Sequence, residues 1–357
     1  MKYQYEKSVV PGATGIAKGE LGENIKTLSQ MIYGNWMQQC TYTFAELAMA
    51  DVLYNSSKTC EKLAKDLKLK GHYLRPFLRC VDELGFIKFN SKTKKYALTE
   101  LGALLRSDHP YSKRAEARLN GADYRYKPWG NIVDILKNGN GKEYSPTVEK
   151  GTLPYLQDKP KDLQIFHEAM LKKWETEDSK IVEAFDFSSF QKVIDIGGGK
   201  GSFLLSILQQ NNNLEGAVFD LPTTFENSEL DESNIMKGDF FEEIPDKADV
   251  YTMKNVIHNW PEDKTKKIME NVRKAMMSAN RVNTSIENKR LLIIENVLPD
   301  DGSSDISNWM SLNFMILVDG QERNKEEYKT LGEDCGFRLE NIYTTDTNRD
   351  ILEYSLL

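Results

Sequence analysis

Three residues far apart in the chain carry the side chains a proton-transfer site needs: His258, Glu295 and Glu322. His258 lies in Met253-Lys254-Asn255-Val256-Ile257-His258-Asn259-Trp260, just past a strand-like run. Glu295 closes the apolar run Leu291-Leu292-Ile293-Ile294, and Glu322 sits in Asp319-Gly320-Gln321-Glu322-Arg323, ahead of a helix. An imidazole takes up a proton near neutral pH, and a carboxylate bonded to one ring nitrogen fixes the tautomer and supports the cation. Singly, a structural histidine and two solvated acids are the commoner arrangement. Their joint placement at strand ends and a pre-helix loop marks them out.

A second group suits ligand binding. Val193-Ile194-Asp195-Ile196 runs into Gly197-x-Gly199-x-Gly201 and leaves through the helix-forming Ser202 to Leu208. Strand, tight turn and helix present backbone N–H groups to a nucleotide-like ligand. The third glycine comes one residue too early for the dinucleotide pattern G-x-G-x-x-G. Asp220, at the end of the next strand, can accept both hydroxyls of a ribose. That geometry suits NAD and S-adenosylmethionine equally; the early glycine tilts toward the sulfonium, which has no pyrophosphate to seat. In Gly238-Asp239-Phe240-Phe241, Asp239 can take an adenine amino group with Phe240 along the ring, although a plain strand-to-turn sequence reads the same way.

The elements that position these groups follow from periodicity. Strands are expected at 192–196, 215–219, 248–253, 290–296, 337–343 and 350–356, and helices at 201–210, 262–277 and 324–335. Alternation of this kind gives a parallel α/β sheet with helices on both faces, and the closing hairpin must add an antiparallel strand. Residues 278–289 are polar and read as a flexible surface loop. Before this domain, 110–185 is mainly helical, with breaks at Pro128, 139–141, Gly151 and Pro154. Its apolar stripes are Trp129, Ile132, Ile135 and Leu136, then Leu163, Phe166, Met170 and Trp174.

Residues 57–105 read as a winged helix. Ser57 caps a helix to Leu67, a second runs from His72 to Leu84, and 86–89 pairs with 95–98 before a short helix capped by Thr99. This segment holds eleven Lys/Arg against five Asp/Glu between Lys58 and Glu100, so docking on DNA is one reading. From Asn24 to Val52, helical spacing of Ile25, Leu28, Met31 and Ile32, with Trp36, Met37, Tyr42 and Met49, fits either a core face or a face buried on another subunit. Residues 1–20 read as a loose arm.

Composition excludes several classes. Of 357 residues, 40% are hydrophobic and 28% charged, which is ordinary for a globular chain of about two domains. A net charge of −7 speaks against general affinity for nucleic acid or anionic membranes. Cys40, Cys60, Cys80 and Cys335 lack metal-ligand spacing and read as buried thiols of a reducing cytosol, with no metal expected. No stretch reads as a secretory leader or a membrane span, so a cytoplasmic location is expected.

In order and spacing, Val193 to Gly201, Phe219-Asp220-Leu221-Pro222, Gly238 to Phe241, Met253 to Trp260, Glu295 with Leu298-Pro299, and Gly320 to Arg323 form one pattern. It resembles the S-adenosylmethionine-dependent O-methyltransferases of the caffeic-acid and hydroxyindole type, over nearly the whole chain. The resemblance implies a Rossmann-like class I methyltransferase sheet and an N-terminal, mainly helical winged-helix dimerisation domain in a homodimer. It implies domains at 1–110 and 186–357, with an acceptor-pocket region at 111–185. By the same resemblance Gly197 and Gly199 line the methionine end of the cofactor, Asp220 holds ribose, Asp239 and Phe240 hold adenine, and Lys254 contacts the cofactor. His258 becomes the general base, bracketed by Glu295 and Glu322, for a small aromatic hydroxyl acceptor. A phenol has a pKa of about 10 against about 6.5 for imidazole, so proton removal must accompany attack on the methyl group.

Two residues depart from that pattern: Asn259 stands where the family usually has Asp, and Ser311 where an acid is common. Trp129, Phe166, Met170, Met310, Asn313 and Phe314 are the expected acceptor walls. The competing readings are an S-adenosylmethionine-sensing DNA-binding regulator and a relative that catalyses a step other than methyl transfer.

Overall fold

The computed structural model describes residues 20–357 except 140, 175–176, 226–227, 229, 279–287, 302 and 304, and omits the side chains of 20, 150 and 171–174. The expected N-terminal arm, the centre of the 278–289 loop and the Trp174 side chain therefore lie outside the described residues. The chain divides into two compact units: Met1–Tyr126 with Lys159–Ala169, and Lys127–Asp158 with Met170–Leu357. The 111–185 stretch is shared between them rather than forming a body of its own. Among the described residues, no helix is long and apolar enough to cross a membrane.

In the first unit, helices Gly34–Glu46, Met49–Leu53, Cys60–Asp66 and Gly71–Glu83 pack with a three-stranded antiparallel sheet, in which Lys95–Leu98 lies between Lys58–Thr59 and Ile87–Asn90. Phe44, Leu63, Leu78, Val81 and Ile87 form its fully buried centre. The cap of the Cys60 helix is Thr59, whose side chain accepts from the Lys62 N–H, and not Ser57; the short strand at Lys58–Thr59 moves the start two residues on. Thr99 caps the last short helix as expected.

Several basic groups of this unit are already in ion pairs: Arg75 with Glu61 at 2.9 Å, and Lys58 and Lys62 both with Asp66. Not all the cysteines are buried. Cys40 is half-buried, and Cys80 is exposed because Leu74, Leu78 and Val81 take the inward face of its helix. The Glu20–Ile32 helix leaves Leu21, Ile25, Leu28, Met31 and Ile32 exposed, as is Trp36 after it, whereas Phe44, Ala45 and Met49 are fully buried. Within this chain, then, the core reading holds only for the later residues.

The second unit is built on a seven-stranded sheet. Its strands are β1 Lys192–Ile196, β2 Glu215–Asp220, β3 Ile235–Lys237, β4 Val250–Lys254, β5 Arg290–Glu295, β6 Phe337–Tyr343 and β7 Asp350–Leu356. Their spatial order is β3-β2-β1-β4-β5-β7-β6, parallel except that β7 is antiparallel to both β5 and β6. The fully buried residues of β1, β4 and β5 are mostly apolar because both faces are covered, with Asp195, Thr252 and Glu295 as the polar exceptions. Ile268, Val272, Ala275 and Met276 face this core from Glu262–Met277, as their spacing required.

Four details differ from the sequence reading. Helix Ile306–Val318 was not among the expected ones; its apolar residues occur almost all round, which blurs a one-faced pattern. Pro128 and Pro154 do not break helices. Pro154 is the third residue of Thr152–Leu156, where its missing N–H has no intrahelical partner to lose, and Pro128 lies one residue from the end of Asp123–Trp129. Leu136 is exposed, while Ile135 packs with Ile316 and Leu317. At the end of the polar 278–289 stretch, Lys289 is buried and donates to the Met276 carbonyl at 2.9 Å, closing a helix C-terminus.

Candidate active site

The carboxyl ends of β1, β2, β4 and β5 gather the predicted groups on one edge, where open α/β sheets bind ligands. The loop after β1 turns at Gly197 (φ +67°) and Gly199 (φ +60°). A Cβ at Gly199 would meet nothing within 4 Å, so backbone here faces open space. Asp220 at the tip of β2 holds this loop: Oδ2 accepts from the Gly199 N–H at 2.9 Å, and Oδ1 from Leu221 N–H and the Thr224 hydroxyl. Phe240 comes up beside Gly197, its Cε1 3.6 Å from where a Cβ of that glycine would stand. Asp239 accepts from the Phe241 N–H at 2.8 Å, and Asn271 donates to the Phe240 and Phe241 carbonyls, fixing the segment.

Two buried acids underlie the loop. Asp195 in β1 is fully buried; Oδ1 accepts from the Thr252 hydroxyl at 2.7 Å, and burial pushes its carboxyl up to about 7. Lys254 at the end of β4 forms a 2.5 Å ion pair with Asp178, both nearly buried, and lies 5.2 Å over the Phe203 ring. Sequence spacing gave no hint of Asp178.

His258 sits on the 3₁₀ turn Ile257–Asn259 that follows β4, buried to 4% exposure. Its Nδ1 is 2.5 Å from Glu295 Oε2 and 3.8 Å from Glu322 Oε1. Glu295 Oε1 accepts from the backbone N–H of Ile257 at 3.1 Å and of His258 at 3.4 Å. Parallel pairing of Lys254 with Ile294 makes this contact possible, since it sets the residues after both strands side by side. Glu322 arrives on a loop that runs so close under the turn that a Cβ at Gly320 would fall 2.0 Å from the His258 carbonyl oxygen. Burial, then the neighbouring Glu295, pushes the Glu322 carboxyl up to about 7 against the pull of His258, Arg349 and its bond from Asn296. The three side chains bring one nitrogen and two carboxylate oxygens within 4.8 Å of one another, with Nδ1 hydrogen-bonded to Glu295.

Both departures have a local role. Asn259 Nδ2 donates to the Asn255 carbonyl at 2.8 Å and more weakly to that of Val256, a bond an aspartate could not donate. Ser311 accepts from the Glu322 N–H at 3.2 Å, so it positions the loop bearing that acid.

Of the expected acceptor walls, Phe314 stacks on the His258 ring, centroids 4.2 Å apart, and Trp129 Nε1 donates to Asn313 Oδ1 at 3.1 Å. Met310 lies one turn before Phe314 on the same helix, and Met170 is half-buried in the same unit. Phe166 belongs to the first unit. Asn255, Asn296 and Arg349 also meet here, unforeseen; the first two at least neighbour singled-out residues, whereas Arg349 has no local signal.

A family model described as an O-methyltransferase domain matches residues 129–338. The phenazine O-methyltransferase PhzM of Lysobacter antibioticus is 33% identical, over 91% of this chain and 94% of its own length. The mitomycin biosynthesis 6-O-methyltransferase of Streptomyces lavendulae is 28% identical over 92% of each chain. The solved structure of the mitomycin 7-O-methyltransferase MmcR superposes with a TM-score of 0.81 at 26% identity, covering 94% of this chain and 99% of that one. The chain belongs to the O-methyltransferase family and is an S-adenosylmethionine-dependent methyltransferase.

Proposed function

We propose that the enzyme methylates a hydroxyl of a small aromatic acceptor, with His258 as the general base. The observation that carries this is the Glu295–His258 pair: with Nδ1–H donated to a buried carboxylate, Nε2 is the nitrogen left to take a proton. S-adenosylmethionine, when bound, supplies a methyl carbon activated by its sulfonium. His258 then removes the hydroxyl proton as the acceptor oxygen attacks, Glu295 supports the cation that forms, and Glu322, 3.8 Å from the same Nδ1, adds negative charge when ionised. Phe314 fixes the plane of the ring, which keeps Nε2 aimed, and alignment within about 3–3.5 Å is the main remaining demand.

The glycine loop fits the cofactor. Open space at Gly199, the Asp220 carboxylate with one oxygen bonded once only, and Phe240 beside Gly197 make a cradle for a methionyl end, a ribose and a flat base. In this reading Gly197 and Gly199 line the methionyl end, Asp220 holds ribose, and Asp239 and Phe240 hold adenine. Lys254, neutralised by Asp178, braces the site between β4 and the helix Asp178–Glu183 that precedes β1. Trp129, Met170, Met310, Asn313 and Phe314 are assigned to the acceptor. An aromatic acceptor is supported by the aromatic lining at Phe314 and Trp129 and by the phenazine in the first relative's name.

We also assign the exposed face of the Glu20–Ile32 helix to a second copy of the chain, because five large apolar side chains in one helix are an improbable water-facing surface. The functional reading is tested by incubating the enzyme with methyl-labelled S-adenosylmethionine and a panel of phenols, hydroxyindoles and hydroxyphenazines. Label on an acceptor oxygen is expected with wild type and lost in His258→Ala; label on nitrogen or carbon only would overturn it.

A further inference from the structure

Arg349 carries a charge in a place that ought to exclude one. It is 4% exposed, ahead of β7. Its Nε donates to Asn255 Oδ1 at 2.5 Å, and its Nη1 to Asn296 Oδ1 at 2.5 Å and to the Asn348 carbonyl at 3.0 Å. These three acceptors are neutral amide oxygens, a costly setting for a guanidinium unless the surroundings gain from its charge or its fork.

Both asparagines lead to the proton-transfer groups. Asn255 begins the turn bearing His258, in the left-handed region at φ +58°, where asparagine is tolerated better than most residues. Its carbonyl accepts from Asn259, and its N–H reaches the Ile294 carbonyl at 3.1 Å. Asn296 follows Glu295 directly; its Nδ2 donates to Glu322 Oε1 at 3.3 Å, and its carbonyl accepts from the buried Tyr328 hydroxyl. The antiparallel register brings this about, for Asp350 pairs with Glu295, which sets Arg349 beside Asn296.

We propose that Arg349 is a positioning residue for methyl transfer: through Asn255 it fixes the turn that aims His258, and through Asn296 it orients the Glu322 carboxylate toward the ring. This rests on the reading of His258 as base. The charge of the guanidinium adds a second effect. Glu322 faces His258 after β4, Glu295 at the end of β5, Tyr328 on the Lys325–Asp334 helix, which Arg323 also influences, and Arg349 before β7. Burial and Glu295 favour its neutral form; His258 and Arg349 oppose them. A protonated Glu322 cannot stabilise an imidazolium, so Arg349 keeps this acid useful near neutral pH.

The titration needs no acceptor; the kcat readings use the aromatic hydroxyl compound that takes the label in the panel. The enzyme is labelled with ¹³C at glutamate carboxyl carbons, and the signal that titrates near 7 is assigned by its loss in Glu322→Gln. In Arg349→Met the midpoint is expected to rise from near 7 to about 8. Asn296→Leu, which keeps the cation but cuts its link, should raise it less, and Arg349→Lys should leave it in place while lowering kcat about tenfold. Calorimetric binding of S-adenosylmethionine should stay within about threefold in all variants. A residue that only supports the fold would lower the melting temperature of these variants without moving the midpoint; that result overturns the proposal. Full methyl transfer by His258→Ala would instead overturn the base reading and leave the titration as it was.

Discussion

Glu295 holds His258 twice over. One carboxylate oxygen lies 2.5 Å from Nδ1 of the ring, while the other accepts from the backbone N–H groups of Ile257 and His258. The same side chain thus sets the tautomer of the imidazole and the path of the turn that carries it.

Those two tasks separate in Glu295→Gln. The amide oxygen can still serve the backbone, but the amide nitrogen cannot accept from Nδ1–H. We expect kcat to fall by roughly 10²–10³-fold, with S-adenosylmethionine affinity near wild type. A kcat within threefold of wild type would show that this carboxylate has no part in the proton step.

Gly199 offers a test of the cofactor cradle. Its φ of +60° costs an alanine about 1 kcal/mol, yet no protein atom stands where the methyl would go. Gly199→Ala should therefore fold with a small loss of stability and bind S-adenosylmethionine at least tenfold more weakly by calorimetry. Unchanged binding would place the methionyl end elsewhere.

Asn259 is a donor that the family's usual aspartate cannot imitate. Asn259→Asp turns a carboxylate toward the Asn255 and Val256 carbonyls, at a cost of about 1–3 kcal/mol. Urea unfolding should show this loss, with Asn259→Ala milder, and kcat should fall with it. An aspartate variant as stable as wild type would mean that the turn does not depend on this bond.

Asp195 ties stability to pH. Its folded carboxyl titrates at about 7 against 3.8 for the exposed group, so between those values the folded state holds a proton that the unfolded chain has released. The contribution is full below about pH 4 and is lost as pH rises toward 7, on the order of 1 kcal/mol per pH unit. Glu322 acts in the same direction. Asp195→Asn, neutral throughout, should flatten this part of the profile in unfolding titrations at pH 5 and 7.5. An unchanged slope would assign it to other groups.

The exposed helix face predicts assembly. Leu28 and Ile32 are 58% and 62% exposed in the single chain, so Leu28→Glu with Ile32→Glu should leave its fold intact. Sedimentation should find wild type as a dimer and the double variant as a monomer. A wild type that sediments as a monomer would refute the assignment.

The sheet strands and most of the helices around them were legible in the sequence because their signals are local. β-branched runs, helical spacing and glycines at a turn act through neighbours a few residues away. His258, Glu295 and Glu322 could be named for the same reason, each standing at the end of an element. What sequence could not show was anything that depends on strand order. The Ile306–Val318 helix lacked a one-sided pattern, and Asp178 meets Lys254 only once a helix packs beside β4. Arg349 joins the site solely because β7 enters antiparallel and pairs Asp350 with Glu295. A side chain 91 positions beyond His258 leaves no periodic trace; tertiary register alone placed it beside the turn that carries His258.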